Sequence, residues 1–175
     1  MKTFAKHLRD FLIPIFVTII LPLVINRLEY HYFGRPLHTQ SAIQMAAGAW
    51  VVLSGLGLML SSIILMIRIA KSTVMPWDPS KNLVVAGPYR HLRNPMILGV
   101  ILLLIGEALV FCSYGIAILA TGFFVLNTLY FIYFEEPKLE QQFGEAYRQY
   151  KANVPRWLPR TRAWYPKEAS SQSKL

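Results

Sequence analysis

Residues 94–136 read NPMILGVILLLIGEALVFCSYGIAILATGFFVLNTLYFIYFEE, two long apolar runs joined by a short turn. The runs cover residues 96–112 and 114–134, and the turn is Cys112-Ser113-Tyr114-Gly115. A helix rises about 1.5 Å per residue and the hydrocarbon layer is about 30 Å thick, so each run is long enough to form a membrane span. The segment therefore predicts an antiparallel helical hairpin in a membrane.

Two further apolar runs precede this hairpin, at residues 11–25 and 43–67, and the second of them contains no charged residue. Hydrophobic residues make up 54% of the chain and charged residues 15%, which is too apolar for a soluble domain. The expected fold class is all-α: a multi-pass membrane helical bundle of about four transmembrane helices.

The basic residues indicate how this bundle is oriented. The formal net charge is +9, and its cations lie in short segments between the apolar runs rather than in one patch. Three precede the first run, five lie between Arg68 and Arg93, eight follow Phe134, and two lie in the loop at 26–42. Because cytoplasmic loops are enriched in Lys and Arg, both termini are predicted to be cytoplasmic. This pattern accounts for the charge, so nucleic acid is not an expected partner.

The N-terminal segment and the single cysteine argue against a cleaved signal peptide, a disulfide and a cysteine metal site. No small-x-small cleavage motif follows the first apolar run, so that run is predicted to be a retained anchor. Cys112 is the sole cysteine, which excludes an internal disulfide and a multi-cysteine metal site. No metal is expected.

The C-terminal third predicts a helix outside the hydrocarbon. Leu139, Phe143, Tyr147, Tyr150 and Val154 recur at near-helical spacing, which indicates an amphipathic helix that lies on the cytoplasmic membrane surface or folds back over the bundle. The chain then divides into three expected parts. These are an N-terminal helix pair (1–70), a core with the preceding loop, the hairpin and the amphipathic helix (71–165), and a disordered tail (166–175).

Three polar features could carry chemistry. GPYRHLRNPMILG at 87–99 is either a basic loop or a shaped binding segment before the hairpin. Glu135 and Glu136 at the end of the last span oppose the helix dipole, so they are either a solvated helix end or carboxylates for a cationic ligand. Glu107, inside a span, either bonds locally or is a proton or cation site of a small four-helix transporter.

The residues from GPYRHLRNPMILG through the hairpin to EEPKLEQQFGEAYRQYKANVPRWLP resemble the isoprenylcysteine carboxyl methyltransferase family and the related phospholipid methyltransferases. The resemblance covers about residues 80–160. It implies an S-adenosyl-L-methionine cofactor in a cytoplasmic pocket, and a lipophilic small-molecule or lipid-anchored substrate among membrane lipids. The cofactor contacts that it implies are Asn82, Leu83, Val84, Val85, Tyr89, Asn94, Pro95, Met96, Ile97 and Glu135.

The chain departs from the family pattern at two places. Arg93-Asn94-Pro95 with Ile97 stands where relatives have Arg-His-Pro and a tyrosine two residues later. Phe131 stands where the prenylcysteine enzymes have an arginine for the substrate carboxylate. No catalytic residue is identified. Methylation of a phospholipid or other lipid amine, with His91 or Tyr89 as the proton acceptor, and a non-catalytic relative both stay open as alternatives.

Overall fold

The computed structural model describes residues 16–34, 41–70 and 83–166, and these residues form helices and connecting segments without a strand. The all-α prediction is confirmed for this part of the chain. The helices are α1 (Leu21–Phe33), α2 (Ala42–Leu65), α3 (Pro95–Phe111), α4 (Tyr114–Tyr130), α5 (Glu136–Phe143) and α6 (Glu145–Asn153). Single π-helical turns, Phe16–Ile20, Met66–Ala70 and Phe131–Glu135, adjoin α1, α2 and α4, and Gly87–Arg90 is a 3₁₀ turn.

Two described helices are long and apolar enough to cross a membrane, namely Ala42–Arg68 and Tyr114–Phe143, counted with their adjoining turns. Pro95–Phe111 is apolar but shorter, with 17 residues. The first expected span, 11–25, lies partly outside the described residues. The four-span count and the three-part division of the chain therefore stay predictions.

The chain divides into two compact units, of which the first comprises Met1–Met59 and Ile97–Asn127. Its core is formed by Val100 and Leu104 of α3 and Ala120 of α4. Partly buried apolar side chains surround these three residues: Val17, Met59, Leu119 and Phe123. The apolar runs of the sequence thus meet in one core inside this unit.

Within this unit α2 and α3 pack backbone against backbone at two levels. A Cβ atom added to Gly55 would lie 2.7 Å from the carbonyl oxygen of Gly99, and one added to Gly99 would lie 2.8 Å from that of Gly55. Gly48 and Gly106 repeat this arrangement at 3.0 and 2.8 Å. Close approach of membrane helices requires small residues at the contact, and these four glycines supply them.

A carboxylate from α1 holds the turn between α3 and α4. Glu29 Oε1 accepts a hydrogen bond from the Gly115 backbone N–H at 2.7 Å, and its Oε2 accepts one from the Ser113 hydroxyl. Ser113 Oγ in turn accepts from the Ile116 N–H at 3.0 Å. Free N–H groups at a helix N-terminus favour such acceptors and a negative charge, so Glu29 and Ser113 together stabilise the start of α4.

The prediction of a loop at 26–42 is wrong for its first half, because α1 continues to Phe33. Arg27 and Glu29 are compatible with a helix, and α1 ends at Gly34, whose φ is 78° and whose N–H donates to Tyr30 O at 3.1 Å. A positive φ favours glycine, which explains why the helix stops there.

The second unit comprises Leu60–Met96 and Thr128–Leu175. The single amphipathic helix expected in its C-terminal part is interrupted: α5 ends at Phe143, and Gly144 takes a φ of 55° before α6 begins. The five residues of the predicted apolar face nevertheless share one cluster, with Tyr147, Tyr150 and Val154 buried at its centre. The residues packed around that centre are Leu83, Val85, Leu139, Phe143 and Trp164.

Candidate functional site

The segment before α3, residues 83–94, is termed the shelf. The side chains of Leu83, Val84 and Val85 alternate between two clusters. Val84 packs with Tyr89 against Leu65 and Met66, whereas Leu83 and Val85 join the cluster around Tyr147 and Tyr150. This apolar run thus packs on two partners through alternate side chains.

The segment after α6, residues 155–165, is termed the strap, and it is hydrogen-bonded to the shelf. Three backbone N–H···O bonds of 2.9–3.1 Å join the two segments. They run from Arg93 to Pro155, from Arg160 to His91 and from Trp164 to Arg90. His91 Nδ1 also donates to Arg160 O at 2.8 Å, and the Arg90 guanidinium lies 4.3 Å from the ring centre of Tyr165. The strap therefore fixes the shape of the shelf.

Tyr89 and Glu135, which are far apart in the sequence, both belong to the second unit and interact electrostatically. Tyr89 is buried, and its carbonyl oxygen accepts a 2.7 Å hydrogen bond from the Tyr150 hydroxyl. Burial raises the pKa of the Tyr89 phenol, and the negative charge of Glu135 raises it further. Tyr89 is therefore a neutral hydroxyl at physiological pH, beside a half-buried carboxylate at Glu135.

The other residues implied by the resemblance have the following places. Pro95 is buried at the start of α3, and Asn94 and Met96 beside it are half-buried. Ile97, also half-buried, is assigned to the first unit. Asn82 lies outside the described residues.

Glu136 is the centre of an ion-pair cluster that sequence reasoning missed. Its Oε1 atom accepts from Arg93 Nη1 at 2.7 Å and from Arg156 Nε and Nη2 at 2.9 and 2.6 Å. Lys151 Nζ lies 3.2 Å from Oε2 and 2.6 Å from Glu140 Oε1. Glu136 is 5% exposed, so the solvated-helix-end interpretation is wrong for this carboxylate.

Two further residues of interest lie elsewhere. Phe131 is buried and packs edge-on against Trp157, with ring centres 5.9 Å apart. Glu107 is half-buried and is assigned to the first unit, and its Oε2 atom is buried without a donor among the described residues. No group of three or more potential metal ligands occurs in the described ranges.

The profile of a family described as phospholipid methyltransferase matches residues 43–146, more than half of the chain. The match covers most of α2, the shelf, α3, α4 and α5, including Tyr89 and Glu135. It begins further towards the N-terminus than the quoted motifs, and it ends before Tyr147 and the strap. No curated protein and no solved structure matches the chain.

Proposed function

Because the chain belongs to the phospholipid methyltransferase family, we propose that it transfers a methyl group from S-adenosylmethionine to a lipophilic acceptor at the cytoplasmic face of a membrane. The family makes it a membrane methyltransferase of lipid-like substrates. The observation that carries the finer proposal is the electrostatic interaction between the buried Tyr89 and the half-buried Glu135 inside the matched region, although the two residues come from separate segments.

The described residues fit the proposed cofactor. S-adenosylmethionine carries an ammonium and hydroxyl groups beside an apolar sulfonium region, so it needs an acceptor next to apolar walls. The Glu135 carboxylate and the Tyr89 hydroxyl are the polar groups, and Val84 with Leu65 and Met66 forms apolar surface around Tyr89. The proposed contacts are the shelf residues Leu83, Val84, Val85, Tyr89 and Asn94, then Pro95, Met96 and Ile97, with Asn82 and Glu135.

When bound, S-adenosylmethionine supplies an electrophilic methyl group on a positively charged sulfonium. The task of the protein is then to hold two reactants in line and to exclude water. Glu135 would accept hydrogen bonds from the ammonium or hydroxyl groups. Tyr89, kept neutral by burial, would add a hydroxyl without a competing negative charge. Val84 and its apolar neighbours would keep water from the donor.

For the acceptor, an isoprenylcysteine carboxyl group and a lipid amine are the two candidates. Phe131 is buried against Trp157, so this position offers an aromatic surface in place of a cation for a substrate carboxylate. This favours a lipid amine. A transporter built around Glu107 and a non-catalytic relative are the competing functions, and neither requires the proposed cofactor contacts.

Equilibrium binding of S-adenosylmethionine to detergent-purified protein tests the cofactor. We expect saturable binding by isothermal titration calorimetry, with S-adenosylhomocysteine competing for the same site. A transporter should bind neither compound. Binding without methyl transfer to membrane lipid extracts would favour the non-catalytic relative.

The proposed topology has four spans and both termini in the cytoplasm, and single cysteines in a Cys112→Ser background test it. Phe33 and Thr161 are both exposed, so Phe33→Cys and Thr161→Cys should be accessible to a reagent. We expect an impermeant maleimide added to intact cells to label Phe33→Cys and to leave Thr161→Cys unlabelled until the cells are lysed. Labelling of both variants from outside would contradict the four-span arrangement.

A further inference from the structure

The cluster around Glu136 contains three cations and two carboxylates among the described residues. Arg93 and Arg156 have side chains 10% and 18% exposed, and both bind the Oε1 atom of one carboxylate, Glu136. Lys151, which is 40% exposed, has a second carboxylate in Glu140. Two nearly buried guanidinium groups thus share one carboxylate oxygen, so the cations outnumber the carboxylate that pairs with them.

One donor of this cluster also lacks an acceptor. Arg93 uses Nη1 for Glu136, while its Nε atom is buried and has no hydrogen-bond partner among the described residues. A buried donor without a partner destabilises the folded protein, and more so on a charged group. A ligand that brings both a negative charge and acceptor oxygens would remove this penalty.

The cluster lies next to the proposed cofactor site, because its central residue Glu136 directly follows Glu135 in the chain. Burial above all, and also the negative charges of Glu136 and Glu135, raise the pKa of the Tyr147 phenol to about 12, against an opposing effect of Arg93. Tyr147 therefore lies within electrostatic reach of both the cluster and the Glu135 carboxylate. A molecule with an anionic group at the cluster could present a neighbouring group at Glu135.

We infer that Arg93 and Arg156 form an anion subsite that binds a phosphate group. Adjacent guanidinium forks match the tetrahedral oxygens of phosphate through paired N–H···O bonds, and they suit that group better than an ammonium would. In this arrangement Glu136 holds the two arginines side by side, and the phosphate takes the donors that Glu136 leaves free. Identifying this phosphate with the headgroup of the methyl acceptor rests on the proposed function, whereas the binding itself does not.

Binding without S-adenosylmethionine tests the subsite separately from the methyl transfer. The purified protein in a phosphate-free maltoside detergent is titrated with dihexanoylphosphatidylethanolamine, with dihexanoylglycerol and with inorganic phosphate. We expect the phospholipid to bind and the diacylglycerol, which lacks the phosphate, not to bind. Binding of inorganic phosphate with similar affinity would support the subsite and assign it to the free ion.

Variants then identify the residues. Arg93→Gln should weaken phosphate-dependent binding about ten- to a hundred-fold, the range for charge-assisted hydrogen bonds. Arg156→Gln should have the same effect. It replaces Arg93→Gln as the test variant if circular dichroism shows that Arg93→Gln is unfolded. Arg148→Gln is the matched control, since its side chain is 64% exposed and pairs with Glu145 at 3.5 Å.

Glu136→Gln distinguishes an anion subsite from a purely structural ion-pair cluster, because the two interpretations predict opposite changes in phosphate affinity. The glutamine amide oxygen can still accept from Arg93 and Arg156, so the arginines stay side by side while the competing negative charge is lost. The substitution should therefore strengthen phosphate binding severalfold, even where it lowers the melting temperature. The inference is overturned if neither phosphate compound binds at millimolar concentration. It is also overturned if Arg93→Gln and Arg156→Gln bind like Arg148→Gln, or if Glu136→Gln loses binding as they do.

Discussion

Glu135→Gln should lower the affinity for S-adenosylmethionine about ten- to a hundred-fold, because it removes the charge from a charge-assisted hydrogen bond of roughly 1.5–3 kcal/mol. The carboxylate is half-buried beside Tyr89, so water replaces the lost interaction poorly. Isothermal titration calorimetry measures the change. Glu145→Gln is the control, because that side chain is 69% exposed on α6.

Tyr89→Phe extends this test without opening a cavity. The backbone carbonyl of Tyr89 still accepts from Tyr150 in this variant, so the shelf should keep its shape and only the hydroxyl is lost. We expect weaker binding, and a double variant with Glu135→Gln whose effect is less than the sum of the two single effects, since both side chains act on one ligand. Unchanged binding in both single variants would refute the proposed cofactor site.

Gly55→Ala should destabilise the protein strongly, by on the order of 3 kcal/mol. The added Cβ would lie 2.7 Å from the carbonyl oxygen of Gly99 and 2.8 Å from the backbone nitrogen of Leu103. Backbone atoms cannot turn away as a side chain can, so α2 and α3 must separate. For a chain of this size the change corresponds to a melting temperature about 6–12 °C lower, measured by thermal unfolding in detergent.

Gly57→Ala is the matched control on the same helix. An added Cβ there meets nothing within 4 Å, so the substitution should leave the melting temperature unchanged or raise it, because alanine favours helix by up to about 1 kcal/mol. Equal melting temperatures for the Gly55→Ala and Gly57→Ala proteins would show that α2 and α3 do not pack through these glycines.

Much of the helical framework could be predicted because apolar runs mark helices directly. The runs at 96–112 and 114–134 correspond to α3 and to α4 with its π-helical turn. The end of α1 could not be predicted in this way, since the charged residues Arg27 and Glu29 are typical of a loop. Only the structure shows that the Glu29 carboxylate binds the turn between α3 and α4. The glycine contacts could not be predicted either, because the relative position of the two helices decides whether Gly55 and Gly99 face each other.

The candidate site was likewise predicted only in part from the sequence. Tyr89 and Glu135 were expected through the family resemblance, which links distant segments that periodicity alone cannot connect. The Glu136 cluster was missed because its cations come from three separate segments: Arg93 before α3, Lys151 in α6 and Arg156 in the strap. Each of these cations, taken alone, is explained by the enrichment of Lys and Arg in cytoplasmic loops. Only tertiary structure shows that they meet one carboxylate.

The strap also sets an order of events during biosynthesis. The ribosome makes the chain from the N-terminus, so the shelf is translated before α3 to α6 and well before residues 155–165. The shelf hydrogen bonds to Pro155, Arg160 and Trp164 can therefore form only when nearly all of the described chain has been synthesised. Nascent chains that are still inserting their helices consequently lack a finished shelf, and the proposed cofactor site would be complete only after Trp164 has been added.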